Sequence, residues 1–123
     1  MRAFKFIFTV LVAVLLSACA QPKTEGIVSV IDLSTSKPIA NAVVKLYVDN
    51  PDNPSAGFYL CNDTELKTSW ELTTNDGGFT EKVCFELPAV IKVDVSTGDG
   101  KTGTTTLALV EGETTTATCK VSN

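Results

Sequence analysis

Strict alternation is the feature that most constrains this chain. In the stretch VIKVDVS, residues 90–96, Ile91, Val93 and Val95 share one phase and Lys92 and Asp94 share the other. An extended strand turns successive side chains to opposite faces, so this segment has one apolar face and one charged face. Val43–Val48 repeats the pattern with Val44, Leu46 and Val48. Further strand-length runs rich in β-branched and aromatic residues are Ile27–Leu33, Ser69–Thr74, Phe79–Phe85, Thr102–Val110 and Thr114–Val121. Turn chemistry separates them: NDGG at 75–78, TGDG at 97–100 and EGE at 111–113. No segment beyond residue 18 sustains a helical period. Seven short strands at this spacing predict an all-β fold, a seven-stranded antiparallel sandwich.

The first 18 residues follow another rule. Arg2 and Lys5 lead into an uncharged run from Phe6 to Leu16, and small residues follow. That order is the order of a secretory leader. The run is too short for a membrane-spanning helix, which needs about 20 apolar residues. The tetrapeptide LSAC, residues 16–19, resembles the lipobox of bacterial lipoproteins. The resemblance implies a signal peptide over residues 1–18 and an acylated Cys19 that becomes the first mature residue. Residues 19–25 would then tether a domain of residues 26–123 to the membrane. Each buried methylene contributes about 0.8 kcal/mol, so two or three acyl chains on one cysteine make a permanent anchor. Ala20 follows the cysteine, and by the same resemblance an alanine there points to the outer membrane.

Charge and composition narrow the functions available. The chain carries 10 basic and 14 acidic residues, no histidine, and a net charge of −4. Loss of the leader removes Arg2 and Lys5 and no acidic residue, so the mature domain is more acidic still. Such a domain has little pull on nucleic acid or on anionic lipid, and no nucleic-acid partner is expected. Without histidine there is no histidine-based triad and almost no zinc-enzyme arrangement. Neither a GxGxxG nor a P-loop pattern occurs. Asp94 and Asp99 are candidates for a glycosidase pair, but a strand exterior and a turn make them solvated surface charges. Asp49, Asn50, Asp52 and Asn53 cluster oxygens without the alternating spacing of an EF-hand loop. With Pro51 and Pro54 beside them they read as turn-building residues. The expectation is a protein that is not an enzyme and needs no cofactor or metal.

Outside the cytoplasm cysteines tend to pair. With Cys19 lipidated, Cys61, Cys84 and Cys119 remain, which allows one bridge and one odd thiol. In the last strand Thr115, Ala117, Cys119 and Val121 share the core phase. In Phe79–Phe85 the set Phe79, Val83 and Phe85 takes the core, which leaves Cys84 on the outer face beside Lys82. Strand phase therefore favours Cys61–Cys84, a bridge that stabilises by about 3 kcal/mol, with Cys119 a buried, unreactive thiol. The alternative is that all three are small buried residues.

Two longer motifs carry a second resemblance. VIDLSTSKPIANAVVKL, residues 30–46, resembles the opening of carboxypeptidase regulatory-like domains, matching at Val30, Asp32, Thr35, Pro38, Ile39, Ala42, Val44 and Leu46. Ser36 and Asn41 stand where glycines are usual in that family. TTNDGGF matches its second landmark at Thr73, Asp76, Gly77 and Phe79, where Asp-Gly suits the positive φ of a hairpin tip. Leu87, Pro88 and Ala89 keep part of a third, with Val90 at its usual glycine, and LVEGETTT resembles the final hairpin. The resemblance implies a transthyretin-like (prealbumin-like) sandwich, related in shape to immunoglobulin-like ones. It implies a structural or binding module with no catalytic set.

The departure from that family is Asp49–Lys67, a far longer connection than usual. Long loops in compact domains tend to be functional or disordered, and Phe58, Tyr59 and a bridged Cys61 argue for order. Phe58 and Tyr59 suit contact with a protein or a sugar ring, with Trp70 as a hydrophobic seat beneath the loop. The alternative is that the aromatics cover a sheet edge and guard it against pairing. Together these features predict a lipid-anchored binding or scaffolding module of the cell envelope, with an unidentified protein or glycan partner. Its rivals are a subunit of a surface assembly built by strand addition, a carbohydrate-binding surface protein, and an inhibitor of a basic enzyme.

Overall fold

The computed structural model describes residues 22–50, 52–53 and 56–123. The leader, Cys19, Ala20, Pro51 and Pro54 lie outside the described residues. Seven strands form: β1 Thr24–Asp32, β2 Val43–Tyr47, β3 Ser69–Thr73, β4 Val83–Phe85, β5 Val90–Ser96, β6 Thr102–Ala108 and β7 Thr114–Val121. One sheet has the order β4-β1-β7 and the other β3-β2-β5-β6. The fold is all-β, with no helix among the described residues.

Alternation places the core where it predicts. Val28 and Val30 of β1, Phe85 of β4, and Ala117, Cys119 and Val121 of β7 face Val44, Leu46, Ile91, Val93, Val95 and Leu107 of the other sheet. Where the strands approach most closely, side-chain volume is limiting. A Cβ on Gly103 would sit 2.4 Å from the carbonyl oxygen of Lys120, so β6 can lie against β7 only there without a side chain. Hydroxyls fill the few polar positions inside. Thr80 Oγ1 accepts the Val28 N–H at 2.9 Å, and Thr74 Oγ1 accepts the Ala42 N–H while donating to the Ile39 carbonyl. Each satisfies a backbone group that burial would otherwise leave costly.

Several expectations are corrected. The sandwich is not wholly antiparallel, because β1 and β7 pair in parallel from Glu25–Thr114 to Asp32–Val121. The turn at Val110–Glu113 is present, closed by Glu113 N–H to Val110 O at 3.1 Å with Gly112 at φ +74°. It carries the chain from one sheet to the other instead of closing a hairpin, so β7 runs back along β1 in the same direction. The NDGG turn also changes sheets: β3 belongs to one, and Phe79 bridges Ser29 of β1 in the other. Positive φ falls on Gly78. Phe79 is 45% exposed, outside the core. Residues 80–82 are not strand, and the phase slips between the inward Thr80 and the inward Val83. Finally, β1 begins at Thr24, whose partner is Phe85, so two residues expected in the tether are strand residues.

Strand directions define two ends. Pro22–Lys23, the 86–89 connection and the 109–113 turn gather at one, called the entry end. The 33–42 segment, the 74–78 turn and the 97–101 turn gather at the other.

Candidate functional site

The long connection between β2 and β3 is built around a small hairpin. Phe58 and Lys67 exchange both backbone hydrogen bonds, at 2.9 and 2.8 Å. Gly57 permits this approach, since a Cβ there would lie 2.0 Å from the Lys67 carbonyl oxygen. At the tip Asn62 takes φ +62°, a left-handed turn residue that asparagine tolerates. The Asp63 carboxylate accepts the Glu65 N–H at 2.9 Å. That bond, more than the nearby Lys67 ammonium, holds the Asp63 carboxyl below its ordinary range.

The hairpin closes the outer edge of β4. Leu60 bridges Phe85, the Glu86 N–H donates to Tyr59 O at 2.9 Å, and the Cys61 N–H donates to Cys84 O at 3.0 Å. The Cys61–Cys84 disulfide locks the same register, with Cα atoms 5.3 Å apart. Cys84 is available because β4 turns Val83 and Phe85 inward and Cys84 outward. Cys119 is buried and unbridged. Burial, aided by Asp94, pushes its thiol pKa up, away from the reactive thiolate.

The three aromatics have different positions. Phe58 is 5% exposed and tilts against Phe85 with ring centroids 5.5 Å apart. Its expected place at a contact surface is therefore corrected: it supports the hairpin from beneath. Tyr59 is 41% exposed, and Leu66 beyond the tip is comparably open. Trp70 is half-buried against the core, with the Lys67 ammonium 5.3 Å from its ring centroid. Lys67 also lies 3.6 Å from both Asp63 and Glu65. The edge-covering and contact readings thus fall on opposite faces of one hairpin. Phe58 and Leu60 seal the sheet, and Tyr59 and Leu66 face out.

Two residues absent from the expected site stand beside it. Leu87 is 68% exposed, and with Pro88 and Ala89 it walls a groove of about 230 Å³ whose opposite wall is Gly57, Phe58 and Tyr59. A neighbouring groove of about 480 Å³ runs from Leu87 and Pro88 to Pro22, Lys23, Glu111 and Gly112. Val110, on the turn beside it, is 49% exposed. Apolar residues in turn segments were the available signal for both.

Of the oxygens at 49–53, those of Asn50 serve a turn. Asn50 Oδ1 accepts the Asp52 N–H, and the Asn50 carbonyl accepts the Asn53 N–H, each at 3.1 Å. Among the described residues, no three histidine, cysteine or acidic side chains gather as a metal ion would require. No family model matches the chain, and no curated protein matches it.

Proposed function

We propose that this chain is a lipid-anchored protein of the cell envelope whose sandwich serves as a non-enzymatic binding or scaffolding module. LSAC at residues 16–19 supports the anchor at Cys19, and Ala20 favours the outer membrane. The transthyretin-like, carboxypeptidase regulatory-like reading gains support from the backbone. Ser36 and Asn41, at the positions where that family carries glycine, both adopt φ +60°. The contact surface is the outer side of the 58–67 hairpin.

One observation carries the contact surface: a long connection is held by a disulfide and a backbone ladder while presenting Tyr59 and Leu66 outward. Preordering of this kind lowers the entropy lost on binding. A protein partner fits better than a glycan. One face of Trp70 is occupied by the Lys67 ammonium, so a sugar could stack there only by displacing it.

Labelled palmitate fed to bacteria expressing the full chain is expected to mark the wild type and not Cys19→Ser. That variant is expected in the soluble fraction. A photo-crosslinking residue at Leu66 is expected to give a discrete adduct, weakened by Tyr59→Ala, where one at Thr106 on β6 gives none. An unlabelled wild type sinks the anchor. Equal adducts from both positions sink the hairpin as the contact surface.

A further inference from the structure

The length of chain before β1 determines which part of the sandwich can meet the lipid. Cys19 and Pro22 are three residues apart, a span of at most about 11 Å fully extended. The eight residues of β7 rise roughly 26 Å from the entry end to the far end. A lipid on Cys19 therefore keeps the entry end close to the bilayer.

That end is chemically suited to contact. Leu87 and Val110 are exposed on its two turn segments, Val90 is exposed where β5 begins beside them, and Pro22 and Pro88 line the groove between the segments. The far end also exposes apolar groups, Leu33 and Phe79, but the tether does not bring them to the lipid. Lying flat is disfavoured. The outer face of the β3-β2-β5-β6 sheet carries Lys45, Glu71, Lys92 and Asp94, charges that would have to be desolvated against headgroups.

We infer that the entry end docks on the bilayer surface, with Leu87 and Val110 seated among the headgroups. The inference rests on the anchor at Cys19. Glu86 and Glu111 border the same groove against a single lysine, Lys23, so the groove is acidic on balance, the surface recognised is zwitterionic lipid, and anionic lipid weakens the contact. Residues 58–61 run antiparallel to β4, so the hairpin tip at Asn62–Glu65 points away from the entry end and stays open to a partner, whereas Tyr59 borders the groove beside Leu87, nearer the bilayer.

The test uses the full lipidated protein in phosphatidylcholine vesicles. An environment-sensitive fluorophore is attached at Leu87→Cys or, in a second sample, at Gly98→Cys on the open far-end turn. Cys119 is buried and does not compete for the label. With vesicles floated on a density gradient, the label at position 87 is expected to shift to the blue and to be quenched by doxyl-labelled lipid. The label at 98 is expected to remain in water, quenched only by iodide. Val110→Asp in the position-87 sample should abolish the blue shift while the protein still floats. Phosphatidylglycerol added to the vesicles should reduce it. Flotation with both labels wet overturns the docking and leaves the anchor standing. Failure to float overturns the anchor, and the docking falls with it.

Discussion

The two ends of the sandwich are held by different chemistry. At the entry end the bonds are covalent and apolar: the Cys61–Cys84 disulfide, the Phe58–Phe85 ring contact, and Leu60 laid along β4. At the far end they are electrostatic. The Asp32 carboxylate accepts the Ser34 N–H at 2.8 Å, the Ser34 hydroxyl at 2.6 Å and the Thr35 N–H at 3.3 Å, and pairs with the Lys101 ammonium. Lys101 in turn lies 3.8 Å from Asp99. One domain thus has an end that answers to reductant, with Asp63 of the hairpin as a pH-sensitive group beside it, and an end whose ties answer mainly to pH. The division suits a protein whose entry end would meet the membrane, where apolar contacts gain and exposed charges lose.

The largest test breaks the entry end. Phe85→Ala removes the ring that seats Phe58 and fills the core beside Val83, and should cost about 3–5 kcal/mol of unfolding free energy. Denaturant titration should show a lower midpoint, and proteolysis should cut first within 49–67. A loss confined to well under this range would mean that the hairpin supports itself without its apolar seat. Next comes the paired substitution Cys61→Ser with Cys84→Ser. Releasing a bridge with a sequence separation of 23 should cost about 3 kcal/mol in the chain-entropy picture. The loss should change little between pH 4 and pH 7, and what change there is should come from Asp63, the depressed carboxyl inside the same hairpin. A pH-dependent loss that persists in an Asp63→Asn background would join the two ends that the structure keeps apart.

The far end should show the opposite behaviour. Lys101 first, then the Ser34 hydroxyl and N–H, hold the Asp32 carboxyl well below its ordinary 3.8. The folded state therefore binds this proton less readily than the unfolded state does. The stability it contributes is present in full above the unfolded value and is lost as pH falls through it toward the lower folded value. Asp32 also raises the Lys101 pKa above 10.5, so the partner's share is present below that value and lost above it. Asp32→Asn keeps an oxygen for the Ser34 and Thr35 N–H groups but not the charge. Thermal melts of the variant should be flatter with pH below about 4 than those of the wild type. An unchanged acid limb would remove Asp32 as its source.

Some of this was legible in the sequence, for a definable reason. Period-two alternation assigns a face, so the inward Ile91, Val93 and Val95, the buried Cys119 and the outward Cys84 were all readable. From Cys84's face followed its mate. Alternation does not assign a partner strand, which is why the parallel pairing of β1 with β7 was not readable. Nor does it survive a break in the strand: residues 80–82 shift the phase and turn Phe79 outward. In the loop, Phe58 and Tyr59 look equivalent in composition, and only the ladder with Lys67 and Phe85 decides which faces the core. The Asp32–Lys101 pair joins residues 69 apart in sequence, and neither residue's neighbours point to the other.

The smallest effect tests the far end's backbone instead of its charge. Ser36 is held at φ +60° by its N–H bond to the Asp32 carbonyl, 2.8 Å, which closes the turn after β1. A non-glycine residue in the left-handed region costs about 1–2 kcal/mol. Glycine relieves that cost but gives up about 0.4–1 kcal/mol through the greater freedom of the unfolded chain. Ser36→Gly should therefore stabilise, by about 0.8 kcal/mol as the difference of those two terms. Asn41→Gly, at the same φ, should gain less, because asparagine tolerates this region better than serine. Chemical denaturation of the two single variants resolves the order. If Ser36→Gly destabilises, the serine side chain contributes to the turn through an interaction its exposed position does not provide, and the far end is held by more than Asp32 and its partners.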